Sequence, residues 1–122
     1  MMQFAIFLVG ILAAHWLGDF VLQSDWMGQN KSKSFEALLA HVGVYMAVLM
    51  VATPIILRRV DLATAAFVAF NSIVHLAVDF VTSRGTTWLY KRERRHDFFV
   101  LIGFDQWIHH SVLILTLAWL LQ

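Results

Sequence analysis

The sequence has no cysteine, which excludes a disulfide framework, a thiolate metal site and a cysteine nucleophile. Proline is nearly as scarce: Pro54 stands alone, so a single position carries the ring that kinks or ends a helix. Polar sequence is short everywhere, with 60% hydrophobic residues over 122 positions and a mean hydropathy of +0.70. That balance excludes an ordinary soluble domain and leaves little chain to form one. A basic n-region is also lacking, so the N-terminal apolar stretch is expected to be a structural helix rather than a cleavable signal peptide. The formal net charge of +1 carries no nucleic-acid signature, because the basic residues sit in short loops beside apolar segments, and no nucleic-acid partner is expected.

What is present is apolar sequence in stretches of bilayer-spanning length, roughly 17–25 residues. Four of them lie at about 4–23, 35–57, 62–82 and 98–121. The expected fold is all-α, a polytopic four-transmembrane-helix bundle forming a single domain over residues 1–122. Ser34, Asp61 and Asp97 are placed to cap the second, third and fourth helices, and Pro54 to kink or end the second near its last turn. The linkers 24–34 and 83–97 hold seven of the nine Lys and Arg residues, whereas the other side holds only Arg58 and Arg59. The positive-inside rule puts those linkers in the cytoplasm of a multi-pass protein of the bacterial inner membrane, with both termini outside. Trp26, Trp88 and Tyr90 fit an interfacial aromatic belt. The run containing Lys91, Arg92, Arg94 and Arg95 is a topology anchor that suits anionic lipid headgroups.

Each apolar stretch carries one polar pair four positions apart: His15/Asp19, His41/Tyr45, His75/Asp79 and Asp105/His109. On a helix both members of such a pair share one face, about 6 Å apart. Helix rise places Asp19, His41, Asp79 and Asp105 roughly 5–10 Å inside one end of their spans, and His15, Tyr45, His75 and His109 roughly 10–16 Å in. Reversing the topology would move all eight together. The match of His15, Asp19, Phe20 and Val21 with His75, Asp79, Phe80 and Val81 further suggests two parallel helix-pair repeats.

Carboxylates in a low-dielectric half-bilayer cost several kcal/mol each unless neutralised. Neutral imidazole and carboxylate oxygen together make a set for divalent cations. The expected metal ligands are His15, Asp19, His41, His75, Asp79, Asp105 and His109, with Tyr45 or Gln23 assisting catalysis. Zinc is the leading ion, with manganese or iron as alternatives, in one or two copies. Any one pair also reads as a hydrogen bond holding helices together. Gln106 lies beside the Asp105 stripe and reads as a helix contact, His110 as a packing residue, and His96 as a solvated linker residue.

The run His15-x-x-Gly18-Asp19-Phe20-x-Leu-Gln23-x-Asp-Trp26, followed by Lys31 or Lys33, His41, His75-x-x-x-Asp79 and Asp105-Gln106-x-x-His109, resembles an uncharacterised family of small membrane proteins of bacteria and their phages, known as a domain of unknown function. The resemblance covers nearly the whole chain. It implies that these His, Asp and Gln residues act together. That family often has a Lys after the third-helix pair, where this chain has Thr82. A looser resemblance is to membrane-bound metal-dependent hydrolases, which implies hydrolysis of a lipid or another membrane-associated phosphate or ester. Two other functions remain open: ion or proton transport through the same residues, and a structural or host-interacting role for a metal-stabilised core. A homo-oligomer is compatible with each.

Overall fold

Side-chain caps start the helices where short polar residues precede apolar runs. Ser34 Oγ accepts from the amide of Ala37 at 3.3 Å, and Asp61 Oδ1 from that of Thr64 at 2.8 Å. The computed structural model describes residues 1–122 and is all-helical. Helix α1 spans Met2–Trp16 and runs directly into a π-helical turn, Leu17–Val21. A short helix α2 (Asp25–Asn30) follows, then α3 (Phe35–Leu57), α4 (Leu62–Lys91) and α5 (Arg95–Leu120). Four spans are long and apolar enough to cross a membrane: Met2–Val21, Phe35–Leu57, Leu62–Lys91 and Arg95–Leu120.

The four long helices pack as a ring: α1 touches α3 and α5, and α4 touches α3 and α5. One end of the ring is closed by Arg59, whose guanidinium reaches the carbonyl of Leu120 at 3.0 Å. At the other end the Thr87 hydroxyl meets Ser32 at 2.9 Å and docks the α2 linker on α4. Toward the Arg59 end the interior is mostly apolar, with Ile11, Leu49, Leu113 and Leu117 almost fully buried, interrupted by Thr53 and by Asn71, whose Nδ2 donates to Thr116 Oγ1 at 3.0 Å. The outer face is apolar as well. Ile6, Val9, Val51, Ile73, Val81 and Leu115 are each more than 60% exposed. An aqueous surface does not carry so continuous an apolar skin; hydrocarbon solvates it without cost.

The elements differ from the hydropathy reading in three places. Helix α4 does not stop at Thr82 but runs on to Lys91, so the expected linker 83–97 shrinks to a turn before α5 begins at Arg95. Hydropathy reports the solvent around a helix, not the helix, and nothing here breaks the backbone. Thirty residues make about 45 Å of helix, well beyond a hydrocarbon core of about 30 Å. Asp97 is consequently inside the first turn of α5, paired with Arg94 at 2.5 Å, and does not cap it. Finally, the first linker contains α2, capped by Ser24. Pro54 sits in the last turn of α3, which ends with Arg58 in the left-handed region.

Candidate metal centre

The π-helical turn brings the first carboxylate into place. Its wider i→i+5 bonding closes with the amide of Leu22 on the carbonyl of Leu17 at 2.9 Å. Gly18 lets this turn lie against α3: a Cβ there would come within 3.2 Å of the Tyr45 Cα. Asp19 thereby enters the interior beside His41 of α3 and His75 and Asp79 of α4, and all four are buried.

One atom from each of these residues converges on a common point. Asp19 Oδ1 is 3.2 Å from His41 Nε2 and 3.4 Å from His75 Nε2. The two Nε2 atoms are 3.1 Å apart, and Asp79 Oδ2 is 3.2 Å from that of His41 and 3.9 Å from that of His75. The sixth edge, between the carboxylate oxygens, is within 4.8 Å. Four ligands at zinc distances, about 2.0–2.1 Å, define a tetrahedron with edges of about 3.3 Å. The cluster has that size.

Hydrogen-bonding groups crowd one another here. An imidazole nitrogen offers either one proton or one lone pair. His41 Nε2 nevertheless has four polar atoms within 3.4 Å: Asp19 Oδ1, Asp79 Oδ2, His75 Nε2 and Lys31 Nζ. A cation at the centre would satisfy both nitrogens and both carboxylates together. His41 Nδ1, on the far side of its ring, has no hydrogen-bond partner.

A second group comprises Asp79, Asp105 and His109, again with one atom each within 4.8 Å. His109 Nε2 is 3.2 Å from Asp79 Oδ1 and 3.5 Å from Asp105 Oδ1. Asp79 thus turns one oxygen to each group. The proton count links them further. His75 Nδ1 and His109 Nδ1 are 3.3 Å apart, a spacing at which one ring can donate a proton to the other. If His75 Nε2 presents its lone pair to the first group, its proton is on Nδ1 and is donated to His109. The His109 proton is then on Nε2, donated to Asp79 Oδ1. In this tautomer, assigned from the network, His109 Nε2 orients the Asp79 carboxylate; with the Nε2 lone pair free instead, His109 could join Asp79 and Asp105 around an ion.

The remaining sequence-expected residues surround these two groups. His15 belongs to neither; its Nε2 takes a hydrogen bond partner in Gln106 Oε1 at 3.0 Å and lies 3.7 Å from Asp19. Tyr45 stacks on the His75 ring at 4.0 Å between centroids and 8° between planes, and its hydroxyl is 3.4 Å from His15 Nδ1. It holds His75 in place from behind. His110 packs edge-on against His15. Gln23 lines a cavity of about 670 Å³ that opens from the cluster toward the basic end of the bundle, and its Oε1 has no partner.

Two participants were not on the expected ligand stripe. Lys31 Nζ donates to Asp79 Oδ2 at 2.8 Å, carried there by the turn after α2. Gln106 is a hub: its Nε2 donates to Asp19 Oδ2 at 2.9 Å and Asp105 Oδ2 at 3.0 Å while its Oε1 meets His15. Thr82 donates to Asp105 Oδ1 at 2.5 Å. The sequence signal for Lys31 and Gln106 was their place in the motif run, not helical periodicity.

No curated protein and no solved structure matched the chain. A family model did, over residues 7–122, taking in every residue of both groups. On that match the chain belongs to the family described as protein of unknown function, DUF3307.

Proposed function

We propose that this is an integral membrane protein whose buried cluster binds one divalent cation through Asp19, His41, His75 and Asp79, and that it is a metal-dependent hydrolase of a membrane-associated phosphate or ester. The observation that carries the reading is the close approach of two imidazole nitrogens and two carboxylate oxygens, all within 4.8 Å of one another, in a buried site. Zinc suits such a mixed nitrogen and oxygen set best, with manganese or iron as alternatives. The second group, Asp105 and His109 with the outer oxygen of Asp79, is read as the support that orients Asp79, on the tautomer given above. A second ion there would require the His109 proton to leave Nε2.

Four protein ligands fill a tetrahedral site, so a bound cation would polarise the scissile bond and acidify a water only through a further coordination position opened toward the cavity. Hydrolysis then adds the hydroxyl of water to phosphorus or the acyl carbon and its proton to the departing alcohol oxygen. The chain's own groups at the cavity floor suit that task. Lys31 offers a positive N–H to an anionic oxygen, and Gln106 holds Asp19 and Asp105 in fixed orientation. Tyr45 is read as a positioning residue for His75 and Gln23 as a contact on the cavity wall. A transport path has less support, because the buried polar groups toward the Arg59 end, among them Thr53, Asn71 and Ser72, include no carboxylate or imidazole.

One observation favours a second reading, a metal-free polar core. The Lys31 ammonium already sits on Asp79 and supplies part of the charge a cation would bring. Metal content separates the two. Detergent-purified wild-type protein is expected to carry about one zinc-class ion per chain, His75→Ala and Asp79→Ala none, and metal-loaded protein to release product from phosphate or carboxylic ester lipids. Wild-type protein free of metal would leave only the polar core. Metal without hydrolysis of either lipid class would retain the site and discard the enzyme.

For the setting, the inner membrane with 24–34 and the α4–α5 turn in the cytoplasm is supported by the basic residues at that end, where Lys91, Arg92, Arg94 and Arg95 meet anionic headgroups. Descent from a duplicated helix pair is supported by α1 and α4 standing across the ring from each other with the same His and Asp spacing.

A further inference from the structure

We infer that the cavity beside the cluster holds a phosphate group in its dianionic form, whether the head of a phosphate monoester lipid or free phosphate; this rests on the cluster holding a divalent cation and narrows the substrate class. The cavity floor carries Asp19, Asp79 and Asp105, and its walls carry Lys31, Lys33 and Lys91. Those charges cancel among the side chains that line it. A divalent cation on the floor then leaves two positive charges in a partly enclosed space, where uncompensated charge is costly. A phosphate dianion neutralises both. A phosphodiester neutralises one, and a neutral carboxylic ester none.

Hydrogen bonding points the same way. Ser83 lines the cavity, is only 8% exposed, and its Oγ has no partner. A buried hydroxyl left unsatisfied costs about 1–3 kcal/mol, and a phosphate oxygen would accept its proton. Phe20 and Tyr90 also line the cavity and are 46% and 73% exposed, so an apolar tail leaving the mouth would meet aromatic surface before lipid.

The test is calorimetric titration of zinc-loaded, full-length protein in detergent, after removal of excess zinc and assay of the bound metal. The probes are inorganic phosphate, dihexanoyl phosphatidic acid and the monoanionic diester control dihexanoyl phosphatidylglycerol. Phosphate and phosphatidic acid are expected to bind, with the glycerol diester weaker by about tenfold or more. Ser83→Ala and the exposed-site variant Lys33→Gln should each weaken phosphate binding about three- to tenfold with zinc content unchanged. Phosphatidic acid binding tighter than phosphate identifies a lipid source; equal binding identifies free phosphate. Zinc-replete protein that binds no phosphate, binds the diester equally well, or is unaffected by both substitutions overturns the inference while sparing the metal centre. Protein that takes up no zinc overturns both.

Discussion

Lys31 and Asp79 illustrate how one residue pair can report on the whole site. In metal-free protein the ammonium is the nearest positive charge to a carboxylate that is otherwise buried. Removing it by Lys31→Met should then destabilise the protein on the order of 3 kcal/mol, as when one partner of a buried pair is lost. With zinc bound the cation takes over that role, and the same substitution should cost much less. Melting the wild type and variant with and without zinc measures the difference; an equal cost in both states would mean that no cation reaches Asp79. His109→Ala is a second residue-scale case. As a group that orients Asp79 it should weaken zinc binding about 10- to 100-fold without abolishing it. A halving of stoichiometry from two ions to one would instead make His109 a ligand.

The π-helical turn and the caps carry their own tests. Gly18 permits the close approach of that turn to α3, since a Cβ would press on the Tyr45 backbone. Gly18→Ala is therefore expected to cost about 1–3 kcal/mol and to loosen zinc by displacing Asp19. Unchanged melting and unchanged zinc affinity would contradict the close packing. At the start of α4, the Arg59 guanidinium beside Asp61, with the Thr64 amide, holds its carboxyl down at about 2. A lowered carboxyl stabilises the folded end above the ordinary carboxylate range and loses that contribution as pH falls toward 2. The protection of the Thr64 amide relative to its intrinsic exchange rate should fall over that window in the wild type and show no such step in Asp61→Asn. These elements were unequally legible in the sequence. Ser34 and Asp61 announced their helices because capping is local chemistry. The π turn and the extension of α4 beyond Thr82 were not visible, since apolar periodicity marks neither a change in hydrogen-bond register nor a helix that continues into polar solvent.

At the scale of the whole molecule, four apolar spans were readable because each alone has bilayer length. The convergence of His and Asp was readable too, from four pairs at matched depth. What depth could not give is rotation about each helix axis. His75 reaches into the group of Asp19 and His41, His15 turns aside to Gln106, and Tyr45 lies against a ring face. Those differences follow from side-chain packing around the ring of helices, which spacing along one helix does not encode. A ligand joining the π turn, α3 and α4 should also bind the bundle together. Chelation is expected to lower the melting midpoint, and added zinc to restore it. The most direct measurement is X-ray absorption at the metal edge of purified protein, with total metal analysis on the same sample. One ion per chain with nitrogen and oxygen ligands at about 2.0–2.1 Å, two of them imidazole, is the expected result. No metal above the buffer blank, or a first shell without imidazole, would contradict a cation held by Asp19, His41, His75 and Asp79.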